Sequence, residues 1–310
     1  DALGRGLVTL NGGTLSSDST AARTLTNSIG IGGDITLGNA TQNGLLTLSG
    51  AVDLGGSVRQ ISAASNVTLG GVLTNGGLSK SGSGTLTLTG INSYTGATSV
   101  SFGKLVVNGA LASETTTVGI GAILGGSGTI AGVTTIQSGG IHAPGNSPGL
   151  QALTDLTYAD GSFYLWEIDR NSAQTRGIGY DAVNVSGTLA GLDGADANTT
   201  TDAIFRVIIG DSDFSNSFWN TPKTWTDIFT GADGSVTKAK SRAVLMAMGG
   251  ASWPRMGSDG RWVEAFAALD IPVAPLRPAN CGIEIAWSQH MKDKGGGHPL
   301  KRIAISTGGR

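Results

Sequence analysis

Cross-linking is the first thing this chain lacks. Its 310 residues contain one cysteine, Cys281, so no internal disulfide can form. Cys281 reads as an incidental thiol. Charge is scarce as well. Asp, Glu, Lys and Arg make up 14% of the residues, against a usual ~25%. A formal net charge of −2 argues against a nucleic-acid partner, because phosphate binding needs clustered Lys and Arg. Aromatic residues contribute 5%. The longest apolar run of the C-terminal part, around Ala243–Ala247, is far short of the ~18 residues that cross a bilayer as a helix. No signal peptide is visible. The chain opens Asp1-Ala2-Leu3-Gly4 without an initiator Met, as expected of a fragment or a processed form. Apolar stripes of helical period are also missing.

Glycine, by contrast, is abundant. It occurs 51 times, about one residue in six against a usual ~7%. No Gly-X-Y period runs through the chain, and apolar residues reach 39%, so neither collagen nor disorder fits. Short alternating runs such as Thr85-Leu86-Thr87-Leu88-Thr89 and Lys104-Leu105-Val106-Val107 are separated by Gly, Asn and Ser. Period 2 places one set of side chains inward and the other outward on a strand. Strand cores recur at Leu7–Leu10, Ile35–Leu37, Leu45–Leu48, Val67–Leu69, Leu86–Leu88, Leu105–Val107 and Thr134–Ile136. Their spacing is compatible with coils of roughly 20 residues. About seven such coils, stacked ~4.8 Å apart, would make a rod of roughly 35 Å from residues 1–150. Asn11-Gly12, Asn43-Gly44, Asn75-Gly76 and Asn108-Gly109 suit tight corners, since both residue types tolerate the left-handed conformation. Asn-Gly is equally a hairpin signal, so an antiparallel sandwich is the rival fold.

Texture changes twice along the chain. Only Tyr94 and Phe102 of the aromatics precede Tyr158. Residues 1–233 carry 9 basic and 17 acidic side chains, whereas residues 234–310 carry 11 basic and 5 acidic. Three regions are expected. Residues 1–157 form the coils. Residues 158–233 form aromatic-rich terminal coils, including strands at Phe163–Ile168, Tyr180–Gly187 and Ala203–Ile209, that cap the open end. Residues 234–310, broken by Pro254, Pro272, Pro275 and Pro278, form an irregular tail, poorly ordered or foreign to the rest, with one short helix at Ala243–Met248.

The segment Gly84–Gly149 carries a specific pattern: Gly84-Thr85-Leu86-Thr87-Leu88-Thr89-Gly90, Asn92-Ser93-Tyr94-Thr95-Gly96, Gly103-Lys104-Leu105, Leu124-Gly125-Gly126-Ser127-Gly128-Thr129-Ile130 and Ala143-Pro144-Gly145-Asn146-Ser147-Pro148-Gly149. In this order it resembles the autotransporter-associated β-strand repeat, also called the passenger-associated transport repeat, of bacteria. Residues 1–83 resemble degenerate upstream copies. Phe163–Ile168 and Phe218–Trp225 are similar to segments that follow the repeat in large surface proteins of that type. The resemblance implies an all-β, right-handed parallel β-helix. It also implies export to the cell surface or beyond, contact with the outer-membrane translocation machinery, and a repeat that assists folding during export. Proteins of that type end in a membrane β-barrel. No barrel-type alternation precedes Ile305–Arg310, so translocation of the chain by itself is not expected.

Candidate chemistry is thin. Gly145-Asn146-Ser147-Pro148-Gly149 matches the G-x-S-x-G nucleophile elbow, with His142 close by. The elbow needs a helix after the serine, whereas a strand-like stretch, Leu150–Tyr158, follows here. Ser147 is therefore read as a turn residue and His142 as a surface or turn histidine. Gly125-Gly126-Ser127-Gly128 lacks the Gly-Lys-Ser/Thr of a phosphate loop and reads as a solenoid corner. Asp193, Asp196, Asp202, Asp211 and Asp213 could offer oxygen ligands to calcium, but no ordered calcium motif surrounds them, and solvated acidic loops are the expectation. Glu167 and Asp169 share one strand face, near Asp160, Asp181, Arg170 and Arg176. They are the one pair that a carbohydrate-active β-helix enzyme could use. Trp219, Trp225 and Tyr180 could stack on sugars, or simply pack an end cap. No catalytic, cofactor-binding or metal-binding residue is assigned. The expected protein is a non-enzymatic stalk or adhesive passenger without a cofactor. A surface polysaccharide or a host or matrix ligand is its expected partner, together with self-association through exposed coil ends.

Overall fold

The structure, a computed structural model, describes residues 4–168, 175–192, 203–209, 225, 227–231 and 245–246. All of these lie in the compact unit Asp1–Gly249, one of two in the chain. The described residues contain strands and turns and no helix. One sheet has 15 strands and the other 10, and every pairing between strands is parallel. Antiparallel sandwich packing is thereby excluded for them. Each strand pairs with the equivalent strand one coil away, so the chain winds as a parallel β-solenoid.

Three ladders run along the stack. Two belong to the 15-stranded sheet, because long strands such as Val52–Ala63 and Thr129–Ile136 carry hydrogen bonding around a corner. Their register shifts at that corner, between Asp53 and Ser57 and between Ile130 and Val133. The 10-stranded sheet forms the third ladder and crosses seven coils between Arg23–Leu25 and Ile141–Pro144.

Alternation places two apolar side chains of each of these short strands inside. In the 10-stranded sheet Leu46, Val67, Leu86, Leu105 and Leu124 stand in register and are buried. The steps from Leu86 to Leu105 and from Leu105 to Leu124 are 19 residues each. A second column, Leu48, Leu69, Leu88 and Val107, is buried beside it. Each such leucine removed from water contributes about 1.5–3 kcal/mol, which replaces the cross-links the chain lacks.

One corner explains much of the glycine. Gly50, Gly71, Gly90, Gly109 and Gly128 follow one another up the stack. A Cβ on Gly71 would lie 1.9 Å from the carbonyl oxygen of Gly50, one on Gly109 2.1 Å from that of Gly90, and one on Gly128 2.0 Å from that of Gly109. Real Cβ contacts essentially never fall below 3.0 Å. The coils can therefore close this corner only with glycine.

Above Ile136 the interior becomes aromatic. Tyr158 continues the column of Val118 and Ile136, and Tyr164 and Phe205 continue the leucine column beyond position 142. Tyr164 packs against Phe205 and Phe229 at centroid distances of 5.0 and 4.9 Å, and Trp166 against Tyr180 and Trp225 at 5.9 and 5.6 Å. The strands Phe163–Ile168 and Ile204–Ile209 extend the 10-stranded sheet over these rings. Leu245–Met246 pairs in parallel with Arg206 and Val207. It is a strand and not the turn of helix expected at Ala243–Met248, because the free edge of Ile204–Ile209 supplies backbone partners that an isolated short helix would lack. The other residues of 234–310 lie outside the described ones.

Candidate functional site

The loop that ends the repeat is built from its backbone. Ile141–Pro144 finishes as a strand. Gly145 (φ 83°) then folds the chain back until a Cβ there would meet the Gly149 nitrogen at 2.3 Å. Ser147 sits at φ 74°, a left-handed conformation that costs a residue with a side chain about 1–3 kcal/mol. Its Oγ donates to Glu167 Oε1 at 2.7 Å. Asn146 Nδ2 donates to Asn108 Oδ1 at 2.9 Å and to Ser127 Oγ at 3.1 Å, tying three successive coils together at the surface.

Asp181 locks this loop from the following coil. Its side chain accepts the Gly149 amide on Oδ1 at 2.8 Å and the Glu167 amide on Oδ2 at 2.9 Å. Trp166 Nε1 donates to the Asp181 carbonyl at 2.8 Å. Asp181 is only 2% exposed. Burial pushes its carboxyl up to about 7. The Glu167 charge adds to that effect, while the two amides and Lys104 oppose it. Around the lock lies a groove of about 330 Å³, lined by Lys104, Ala143, Pro144, Gly145, Asn146, Ser147, Leu165, Glu167 and Asp181.

His142 is not a surface or turn residue. It stands in register between Leu124 and Tyr164 in the interior and is fully buried. Nε2 donates to Gln151 Oε1 at 2.8 Å, Tyr158 OH donates to Nδ1 at 2.5 Å, and Gln151 Nε2 donates to the Gly125 carbonyl at 3.1 Å. Burial lowers its pKa to about 4, with the Gln151 bond acting against that shift, so the ring is neutral at pH 7. Period 2 explains the placement: Ile141 and Ala143 face outward, so His142 must face inward. Ser147 thus reaches outward to Glu167, while both ring nitrogens of His142 are engaged inside. A strand, Leu150–Tyr158, follows the serine. These residues do not assemble a serine–histidine pair, and the turn reading of Ser147 stands.

Of the acids singled out in the sequence, Glu167 meets Asp181 at the groove. Asp169, Arg170 and the acidic residues at 193, 196, 202, 211 and 213 lie outside the described residues. Arg176 packs inward, with one guanidinium nitrogen donating to the Val183 carbonyl at 2.8 Å. Among the described residues no group of His, Cys, Asp and Glu could hold a metal ion. Tyr180 is buried against Trp166, and Trp225 packs on the same ring, so neither presents a free sugar platform. Trp219 and Cys281 lie outside the described residues.

Three buried polar clamps were missed. Lys80 stands between Ile61 and Val100 in an apolar column, and its Nζ donates to the carbonyls of Ser81, Gly82 and Phe102 at 2.8, 2.8 and 2.9 Å. Burial brings it down to about 8. Asn92 accepts the Leu73 amide at 3.0 Å and donates to the carbonyls of Gly90 and Ala110 at 3.1 and 2.9 Å. Tyr94 shares a 2.8 Å hydrogen bond with Thr98 Oγ1 in the interior. Thus the Asn92-Ser93-Tyr94-Thr95-Gly96 motif serves stacking: its asparagine and tyrosine point inward.

A stack of in-register coils with polar clamps between them defines a repeat-built, parallel β-solenoid protein. Its particular kind follows from similarity. Residues 78–107 match the family named passenger-associated-transport-repeat. Over 65 residues the chain is 48% identical to the adhesin BmaC autotransporter of Brucella suis biovar 1 (strain 1330), a stretch covering 20% of this chain and 2% of that protein. The chain therefore spans only a small part of the length of that relative. Together the repeat and the relative support an autotransporter passenger repeat protein with a surface or extracellular location.

Proposed function

We propose that the chain is a non-enzymatic, surface-displayed passenger segment, structural or adhesive, whose transport repeat assists folding during export. The observation that carries this reading is the coincidence of the repeat at 78–107 with coils whose partners step by 19 residues, from Val67 to Leu86 and from Leu86 to Leu105. Within it Asn92 joins backbone groups of neighbouring coils, and Lys80 closes a corner. Asn92 and Lys80 offer donors that carbonyls of the following coil, Ala110 and Phe102, complete as it emerges. Folding of this kind proceeds by nearest-neighbour addition and would draw the chain outward, with the outer-membrane translocation machinery as its transient partner. The BmaC relative is named an adhesin, and the adhesive role is carried over from it as part of this proposal. The division into coils (1–157), aromatic cap (158–233) and tail (234–310) belongs to the same reading.

The groove does not favour the enzymatic alternative. Both carboxylate oxygens of Asp181 are held by backbone amides, so Glu167 lacks a free carboxyl partner among the described residues of the groove. The test displays the whole chain on a Gram-negative host between a heterologous signal peptide and a β-barrel. Protease accessibility at the surface is then measured for the wild type and for Asn92→Ala with Lys80→Met. A several-fold drop in surface exposure at equal synthesis is the expected result. Equal exposure would remove the export-assisting role.

A further inference from the structure

We propose that the groove between Lys104, Asn146 and Glu167 is a subsite for one neutral sugar residue of a polysaccharide. This inference rests on the surface-passenger reading and gives that reading a ligand class and an address.

The groove offers unsatisfied hydrogen-bonding groups of complementary kinds. Among the described residues the Lys104 ammonium makes no hydrogen bond or ion pair, so three donors are available. Glu167 spends Oε1 on Ser147 and leaves Oε2 as an acceptor. Asn146 spends its amide nitrogen on Asn108 and Ser127 and leaves Oδ1 as an acceptor. A sugar hydroxyl donates and accepts at once, so adjacent hydroxyls can meet a donor on one side and an acceptor on the other. Pro144 and Leu165 also line the groove and give it apolar surface suited to the C–H face of a pyranose ring.

Charge selects against other ligands. Lys104 and Glu167 both line the groove, so neither an anion such as phosphate nor a simple cation finds a single-sign site. Volume sets the scale. About 330 Å³ is at the small end of ligand pockets, ~300–1,000 Å³, which limits the site to one residue with its neighbours outside.

The subsite is also preorganised. Asn146 is pinned by two hydrogen bonds, Ser147 is held in a left-handed conformation, and Asp181 ties the end of the loop, at the Gly149 amide, to the strand that carries Glu167. Strain retained by surrounding structure is characteristic of functional loops. The Asn108–Ser127–Asn146 ladder runs down the stack from the groove and supplies further amide and hydroxyl groups along the path of a longer chain. Among the described residues no aromatic ring lines the groove, and weak affinity for a monosaccharide is the expectation.

Saturation-transfer NMR on the whole chain tests this, with glucose, galactose, N-acetylglucosamine and a hexasaccharide of each as probes. At least one series should receive saturation and should bind more tightly as the hexasaccharide. Lys104→Met and Asn146→Ala should each weaken that binding about tenfold, while Gln42→Ala, at an exposed site on another coil, should not. Thermal melts check that each variant is folded, and Lys104 is a partly exposed residue whose loss leaves the interior intact. Absence of transfer from every probe, or equal binding by wild type, Lys104→Met and Asn146→Ala, would overturn the subsite. Adherence of cells displaying each variant is measured in parallel. Adherent wild type and variants with no sugar binding would sink the subsite alone. A wild type that neither reaches the surface nor adheres would sink the passenger reading beneath it.

Discussion

Replacing Asp181 by Asn should expose a pH dependence that the wild type conceals. Two buried groups act in opposite directions over one pH range. His142 titrates near 4 in the folded protein against 6.5 when unfolded. As pH falls the unfolded chain binds that proton first, so the contribution of His142 is complete above 6.5 and is lost toward 4. At ~1.4 kcal/mol per tenfold, that loss is about 3 kcal/mol. Asp181 titrates near 7 folded against 3.8 unfolded. Its contribution is complete below 3.8 and is lost as pH rises to 7, by about 4 kcal/mol. In the wild type the two slopes nearly cancel between pH 4 and 6.5. Asp181→Asn leaves the histidine slope, so its stability relative to wild type should fall by about 3 kcal/mol on acidification from pH 7 to 4. His142→Gln leaves the aspartate slope, and its relative stability should rise by about 3 kcal/mol over the same interval. Comparison with wild type removes the exposed carboxylates, which all three proteins share. Urea titrations followed by the fluorescence of Trp166 and its neighbours, at four pH values, measure these differences. Parallel profiles for the three proteins would refute the reasoning, because they would mean that neither group is shielded as the geometry requires.

Other perturbations test the clamps and the corner. Asn92→Ala strands the Leu73 amide and two carbonyls and should cost about 2–4 kcal/mol, with faster hydrogen exchange at Leu73 as the local readout. Lys80→Met keeps the volume but frees three carbonyls. It should lower stability by about 1–3 kcal/mol at pH 7, measured by urea titration, and a more stable variant would show that the ammonium is a burden in the column. Gly109→Ala would place a Cβ 2.1 Å from the Gly90 carbonyl oxygen and should cost about 1–3 kcal/mol or more. The same change at Gly121, where nothing lies within 4 Å of the added carbon, meets only its positive φ of 72° and should cost about 1 kcal/mol. Thermal melts of the two variants separate the effects.

Much of the architecture was legible because the strands obey period 2 with Leu, Val and Ile inside. Ile35–Leu37, Val67–Leu69 and Phe163–Ile168 occur where alternation places them. Val52–Ala63 was hidden, since Gly55-Gly56-Ser57 interrupts any alternation. It is a strand because the coils on either side supply its partners. Leu73–Ser81 was hidden likewise by Asn75-Gly76-Gly77, where Asn75 does take the left-handed conformation, at φ 56°, yet the ladder resumes at once. His142, Lys80 and Asn92 escaped because a polar residue in an apolar column is visible only once the columns are aligned across coils. The steps between partners in one column change from 18 residues (Leu124 to His142) to 22 (His142 to Tyr164) and then 41 (Tyr164 to Phe205), so no fixed period exposes them. Asp181 escaped for a related reason: the amide it holds belongs to Gly149, 32 positions earlier, and nothing in the local pattern links the two. Glu167 lies beside Asp181 at the groove, and its carboxylate accepts from Ser147 while its amide donates to Asp181.

The account stands on in-register stacking of successive coils. Electron–electron distances between nitroxide pairs measure it most directly, with Cys281→Ser as background and labels on the outward-facing Thr24, Thr87 and Ala143. These positions belong to one ladder, through Thr47 and Thr68 to Thr87 and through Val106 and Gly125 to Ala143. At ~4.8 Å per coil, backbone separations of roughly 14 Å for the first pair and roughly 29 Å for Thr24 and Ala143 are expected, in proportion to the number of coils crossed. Distances that fail to grow with coil number, or a Thr24–Ala143 separation shorter than Thr24–Thr87, would contradict the solenoid and every clamp assigned to it.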